Sequence, residues 1–387
     1  MRRHSSFSLA RCHPERSEGS LNLGIRPFVG DTVHRRLCDT VASVRFLASL
    51  GMTAVIFCSS AGLLRAQQQS ATAISREVKD VFDRASKAVV KIEATDQHGE
   101  LSGTGFFVDP MGMLYTAYSV GGEAENFKVE FKGRKYPARQ ILADVHSDLA
   151  ILKVDLATPA LPIGKSEELE VATPVVTIGY PLDLPETPSF GMIAGFDHKY
   201  LGYYFPKRLR VNLPAQRGEA GAPVLNLKGE VVGLLVCRLE NNSSCYALPI
   251  DAAEKIRRDY VRFGEARHGW IGANVSEAAA PVEGSRAETA EIVKDTPAAE
   301  SGMKRGDIVL QIGRTKVREP EDILDASFFL TAGDVVPITV MRGKEKLTFD
   351  VRADFHPDSK RPPLIASPLS RNQAIPLNLQ SAPSRTP

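Results

Sequence analysis

A chain of 387 residues with 43% hydrophobic and 24% charged side chains has ordinary globular composition and room for two or three domains. That excludes a collagen, a coiled coil and a wholly disordered chain. The net charge of +2 supplies no overall field to draw in nucleic acid or an anionic membrane. The charge is unevenly spread: residues 1–66 hold nine Arg, no Lys and four acids, and the first Lys is Lys79. This break marks 1–66 as a region apart from the folded body.

Within that region, residues 46–64 (FLASLGMTAVIFCSSAGLL) are apolar or small and uncharged, with Arg35, Arg36 and Arg45 before them and Arg65, Ala66 and Gln67 after them. A basic stretch, an apolar stretch and a small residue at a cut site form a secretory signal pattern. Export to the periplasm or outside the cell is expected. A retained anchor is the alternative, because 19 uncharged residues approach spanning length. Residues 1–44 are longer than a signal needs. RCHPERSEGSL and RFLASLGMT resemble translated intergenic repeats, so the true start is expected further in. Of five cysteines, Cys237 and Cys245 lie in the body, flanking the polar RLENNSS between VVGLLV and YALPI. In an oxidising compartment a hairpin there would bring them close enough for a disulfide, with two separate thiols as the alternative. Neither these cysteines nor the scattered histidines have metal-ligand spacing.

In chain order, helical periodicity appears in REVKDVFDRASKAVVKI, followed between Val89 and Ile250 by ten or more short β-rich runs broken by Gly, Pro, Asn and Asp. These predict an all-β barrel or sandwich system over 75–262, closed by a helix in IDAAEKIRRDYVRF. From 267 to 354, strands in GWIGANV, AEIVKD, DIVLQIG, VVPITVMR and KLTFDVRA, with helices at TPAAESG and PEDILDASFFL, predict a small α+β module. Residues 355–387, with seven Pro, are expected to be a disordered tail. No phosphate loop or dinucleotide fingerprint is present, and no cofactor is expected.

Four ordered motifs carry a family likeness. GTGFFVDPMGMLYTAYSV resembles G-S-G-F-x-x-D-x-x-G-x-x-L-T-N-x-H-V, DVHSDLAILKVD resembles D-x-x-x-D-L-A-v-L-K, and GEAGAPVLNLKGEVVGL resembles G-N-S-G-G-P-L-x-N-x-x-G-x-V-x-G. YALPIDAAEKI matches the closing segment, and GWIGANV with TPAAESGMKRGDIVLQIG extends the likeness to about residue 354. The chain resembles the HtrA/Deg group, which implies a mainly β, trypsin-like double β-barrel followed by a small α+β PDZ domain.

The resemblance also implies where the family's chemistry would sit. Aligned without gaps, the histidine position falls on Ser119, the aspartate position on Asp148 and the serine position on Ala220. Gly218 and Ala220 fall in the remnant of the oxyanion loop, and Gly221-Ala222 stands where Gly-Gly is usual. A methyl has no lone pair to attack a carbonyl, and a serine is no base near neutral pH. Asp148 then reads either as a catalytic remnant or as a structural hydrogen-bonding Asp. His146 reads as a solvated turn residue rather than a substitute base.

In the PDZ half, Trp270, Ile271, Gly272 and Ala273 resemble the loop that holds a peptide carboxylate. Ile323, Leu324 and Phe328 would form the facing helical wall, or be core. Arg314 falls where the family has Gly at a tight turn. The expected function is an inactive exported binder of protein or peptide C-termini, acting as adaptor, holding chaperone or regulator. Homo- or hetero-oligomers with active relatives are an extrapolation from the family. The alternative is an active serine endopeptidase.

Overall fold

The computed structural model describes residues 72–197, 206–238 and 244–355. The signal or anchor reading of 46–64, the start-site reading and the tail after 355 fall outside them. By its internal contacts the chain divides after Ser70, and the rest is one unit. No helix among the described residues is long and apolar enough to cross a membrane.

The body opens with helix α1 (72–85), whose Val81 and Ala85 are buried. Seven strands follow: β1 (Val89–Asp96), β2 (Gly99–Phe107), β3 (Met113–Ala117), β4 (Glu125–Phe131), β5 (Arg134–Pro137), β6 (Arg139–Asp144) and β7 (Leu149–Lys153), with a one-turn helix α2 (Tyr118–Gly121) after β3. They pair antiparallel in the order β5-β4-β1-β2-β3-β7-β6. In β7 all but the last residue of Leu-Ala-Ile-Leu-Lys are buried. That is why this stretch reads as a continuous apolar run rather than as an alternation.

A second set closes into a barrel in the order β10-β13-β12-β11-β8-β9: β8 (Pro174–Gly179), β9 (Thr187–Asp197), β10 (Arg208–Val211), β11 (Pro223–Leu225), β12 (Val231–Arg238) and β13 (Cys245–Pro249). Sequence periodicity passed over β3 and β9. In β9, Pro188, Gly191 and Gly195 mask the alternation, while its pairing with β8 and β10 supplies the ladder. Helix α3 (Ile250–Phe263) buries Ala252, Ala253 and Ile256 and ends at Gly264, which takes φ 79 as a left-handed cap.

The last region contains β14 (Gly269–Trp270), β15 (Ala273–Val282), β16 (Ser285–Ile292), helix α4 (Pro297–Ser301), β17 (Ile308–Ile312), β18 (Thr315–Lys316), helix α5 (Pro320–Phe328), β19 (Val335–Arg342), β20 (Glu345–Arg352) and β21 (Asp354–Phe355). Its sheet runs β15-β16-β17-β19-β20, with β18 on β17 and a separate β14–β21 pair. Helix α5 starts on Pro320 behind a reciprocal Glu319/Asp322 capping box. At the β17–β18 turn Gly313 takes φ 55 and Arg314 is not left-handed, so the turn needs no glycine at 314.

Four apolar clusters hold these parts together. One lies inside the first sheet around Phe107, Val129 and Leu152; another lies inside the closed barrel around Val175, Val211 and Val224. A third joins the two β units to α1 and α3 through Phe106, Tyr115, Leu234 and Ile256, and it takes in Phe328 from α5. The fourth is the core of the last region, around Ala287, Ile338 and Val340.

Candidate functional site

Three loops converge where the two β units meet. The first follows β3: Ala117 is extended, the chain turns into α2, and Tyr118 N–H donates to the Asp148 carbonyl at 2.8 Å. Ser119 sits exposed in that turn. The second is the β6–β7 turn, in which Asp148 takes φ 61, a left-handed conformation that Asp tolerates better than most residues. The third is the loop 216–222 before β11.

The backbone of that third loop explains its two glycines without any catalytic role. Gly218 has φ 94, and a Cβ there would stand 2.3 Å from the Tyr180 carbonyl oxygen. Gly221 has φ 89, and a Cβ would stand 2.1 Å from the Thr104 carbonyl oxygen. No side chain fits either place. Thr104 braces the loop: its N–H donates to Ala220 O at 2.9 Å, its hydroxyl donates to Gly218 O at 2.7 Å, and Tyr180 N–H donates to that hydroxyl. Ala220 itself is half-buried, and its methyl packs against both the cluster joining the β units and the cluster of the first sheet. Glu219 is buried, with Oε2 accepting Gln216 N–H at 2.6 Å; burial pushes its carboxyl above the usual range, offset in part by that bond.

Asp148 is met by a residue that the sequence did not single out. Arg208, at the start of β10 and 2% exposed, donates from Nη2 to Asp148 Oδ2 at 3.1 Å and from Nη1 to the Ser147 carbonyl at 2.9 Å. Burial raises the Asp148 pKa, the Arg208 guanidinium opposes that, and Asp144 adds to it. The carboxylate is thus held from the closed-barrel side. The sequence gives no separate signal for Arg208, which falls with Arg210 and Asn212 on the polar side of the alternation in KRLRVNL. Its partner lies 60 residues earlier.

A second buried pair sits four residues upstream. Asp144 Oδ1 lies 3.1 Å from His268 Nε2, and Asp144 Oδ2 accepts Ser147 N–H. Burial alone would raise the Asp144 carboxyl, but His268 and the Ser147 bond hold it far below the usual range. His146 is not a solvated turn residue: it is half-buried, and its ring meets His268 edge to face at 5.3 Å. The other side of His268 faces Phe328, also at 5.3 Å.

The residues expected to bind peptide separate in the structure. Gly272 has φ 81, and a Cβ there would stand 2.3 Å from Thr296 Cβ, so the loop requires glycine. Trp270 and Ala273 are half-buried beside it, whereas Ile271 belongs to the core of the last region. Of the three expected residues on α5, only Leu324 is half-buried. Ile323 is core, and Phe328, 3% exposed, packs into the cluster joining the β units. Phe328 therefore does not line a groove: it packs against His268, in the connection from α3, and under Lys255 of α3. Cys245 Sγ lies 3.8 Å from Val211 O, and the ladder pairs Cys237 with Tyr246 and Arg238 with Cys245. The Cys237 side chain is outside the described residues.

Residues 103–234 match the trypsin-like peptidase domain family and residues 269–353 match the PDZ domain family. The chain belongs to the HtrA/Deg-like group. It is 28% identical over 273 residues to a probable periplasmic serine endoprotease, DegP-like, of Halomonas elongata, covering 67% of this chain and 57% of that protein. It is 28% identical over 306 residues to the serine protease HTRA1 of Xenopus tropicalis, covering 71% of this chain and 66% of that one. The chain thus spans about half to two thirds of the length of these curated relatives. Among solved structures, the HtrA-type protease AlgW with a tripeptide superposes with a TM-score of 0.62 at 21% identity, covering 72% of this chain and 97% of that one. A serine endoprotease from Yersinia pestis gives 0.54 at 23%, covering 72% and 98%. These HtrA-type likenesses establish the fold.

Proposed function

We propose that this HtrA/Deg-like chain is an exported, proteolytically inactive protein that binds peptide tails or unfolded segments through its PDZ domain, as an adaptor, holding chaperone or regulator. The observation that carries this reading is the methyl of Ala220, packed between two apolar clusters where the family motif has serine. Ser119, aligned with the family's histidine, has no imidazole to take a proton. The Asp148 carboxylate is engaged by buried Arg208 rather than left open. Removal of triad members leaves roughly 10³ to 10⁴-fold acceleration over water in well-studied cases, which is negligible for a peptide bond. On the binding side, support comes from the glycine-dependent loop at 270–273, the half-buried Leu324, and β15 lying at the end of its sheet order. An added strand could pair with that edge. The names of the relatives support export to the periplasm.

Those same names favour the second reading, an active serine endopeptidase. A fluorophosphonate probe on the purified protein separates the two. No heat-sensitive labelling and no cleavage of unfolded casein, together with binding in a C-terminal peptide array, are expected. Labelling of a serine that heating abolishes would reinstate the hydrolase. Introducing Ser119→His and Ala220→Ser together tests the assignment of positions, since labelling gained at residue 220 requires that hydroxyl to lie in a working cleft.

A further inference from the structure

A buried polar seam runs where the connection from α3 to β14 meets the β6–β7 turn and the end of α5, apart from both the cleft and the 270–273 loop. At its centre is His268, 7% exposed, with Nε2 3.1 Å from Asp144 Oδ1 and its ring between those of His146 and Phe328. Beside it Asp259 of α3 accepts Arg267 N–H at 3.0 Å and the Thr331 hydroxyl at 2.9 Å, and pairs with Lys255 at 2.8 Å. Lys255 Nζ donates to the Arg267 carbonyl at 2.7 Å and stands 5.5 Å over the Phe328 ring. Gly269 N–H donates to the Leu330 carbonyl at 2.9 Å, and a Cβ on Gly269 would stand 2.7 Å from Leu330 Cβ. The residues that follow α5 are thus closed over the connection that precedes β14.

The charges of this seam balance only with a proton on His268. Three carboxylates, Asp144, Asp148 and Asp259, face two fixed cations, Lys255 and Arg208. The other groups around them do not change that count: Tyr118 of α2 is held neutral by burial and nearby carboxylates, Arg267 is paired with Glu265, Arg258 is exposed, and Asp325 of α5 accepts Lys207 N–H while Phe328 meets the ring. His146 is the second imidazole in reach. Asp144 is held far below the usual carboxylate range, so it stays ionised wherever an imidazole titrates. An ionised carboxylate only accepts, so His268 Nε2 carries a hydrogen in both states and the titrating proton belongs to Nδ1, which is buried without a hydrogen-bond partner among the described residues. Its loss breaks no hydrogen bond but leaves one carboxylate in excess in a place closed to water. Burial opposes any charge here; at Asp144 the partners outweigh that cost, and the attraction acts equally on both members of the pair.

We propose that His268 is a proton-operated latch between the PDZ domain and the barrels: paired to Asp144 as an imidazolium it holds Phe328, Leu330 and Thr331 against α3 and the β6–β7 turn, and release of the Nδ1 proton to solvent frees them. The latch requires neither chemistry at Ala220 nor a bound peptide. It closes toward acid pH and opens as pH rises through the titration of the imidazole, ordinarily near ~6.5. Each factor of ten by which the imidazolium prefers the closed seam lowers the ratio of closed to open forms about tenfold across that titration.

The test is amide hydrogen exchange of the full chain, read by mass spectrometry from about pH 5.5 to 8 and expressed as protection factors, so that the intrinsic pH dependence of exchange cancels. Segments 264–271 and 325–331 should lose about tenfold in protection over that range, while β7 and β17 keep theirs. His268→Gln and Asp144→Asn should each flatten the dependence, and His146→Gln should retain it, with folding of all three checked by circular dichroism. Protection at the seam that is flat or rises with pH in the unaltered chain overturns the proposal, whatever the variants do. A fall that persists in His268→Gln, or that vanishes in His146→Gln, overturns it by placing the proton elsewhere. Should His268→Gln fail to fold, Asp144→Asn carries the comparison, and a fall that persists there overturns the latch as well.

Discussion

The cleft at Ala220 and the groove at β15 differ in how their polar groups are spent. Around the cleft, Thr104 meets the Gly218 and Ala220 carbonyls, Arg208 holds Asp148 and the Ser147 carbonyl, and the Ala220 methyl joins two apolar clusters. At the groove, β15 ends the sheet order and its outer row of backbone groups has no strand beside it among the described residues. Unpaired edge groups are a standing invitation to another extended chain. At the cleft the corresponding groups already have partners. The two regions therefore differ in which polar groups they leave open, and each side of that contrast can be challenged.

The largest effect is expected at Arg208. Arg208→Ala leaves the half-buried Asp148 carboxylate and the Ser147 carbonyl without their partner, and should cost about 3–5 kcal/mol in urea unfolding. Arg208→Met should cost less, because it keeps the packing. A loss below ~1 kcal/mol in both would mean that the cleft is not locked by this residue. Next comes Phe328→Ala, which empties a site in the cluster joining the β units. A loss of about 3 kcal/mol is expected, and it should appear in the unfolding of the barrels as well as of the PDZ domain. If the barrels unfold unchanged, α5 is a wall of the groove only.

Asp144→Asn sharpens the comparison through pH. The folded-state pKa of Asp144 lies well below the ordinary carboxylate value near ~3.9, so its stabilising contribution is fully present above that value and is lost as pH falls through the folded one. The variant should lose about 2 kcal/mol at neutral pH. It should also show a shallower acid limb of stability against pH, followed by circular dichroism. An unchanged limb would remove the Asp144–His268 pair from the account. The smallest effect concerns the cysteines. If Cys237 and Cys245 are bridged, neither should be alkylated in urea until a reductant is added, as read by mass spectrometry. Labelling of both without reductant would establish two thiols.

Much of this was legible along the chain. The four motifs, with GWIGANV and TPAAESGMKRGDIVLQIG after them, carried the resemblance that implied the paired β units and then the PDZ domain, and the glycines at 218, 221 and 272 answer to backbone geometry that a short stretch of sequence records. Helices α3 and α5 were visible as IDAAEKIRRDYVRF and PEDILDASFFL. Strand β9 was not, since its ladder comes from neighbours rather than from its own alternation. Leu324, Ile323 and Phe328 could not be told apart on α5, because an apolar face says that a helix is covered without saying by what.

The sequence by itself fixed which atoms exist at each position: a methyl at 220, a hydroxyl at 119, a carboxylate at 148, and glycines where no side chain could stand. Only the tertiary structure decided which of them meet. Arg208 reaches Asp148 across 60 residues, His268 reaches Asp144 across 124, and Phe328 turns toward the barrels instead of the groove. Such encounters depend on barrel closure and strand register. A register step of one residue sends every side chain of a strand to the other face, so no local pattern can encode them.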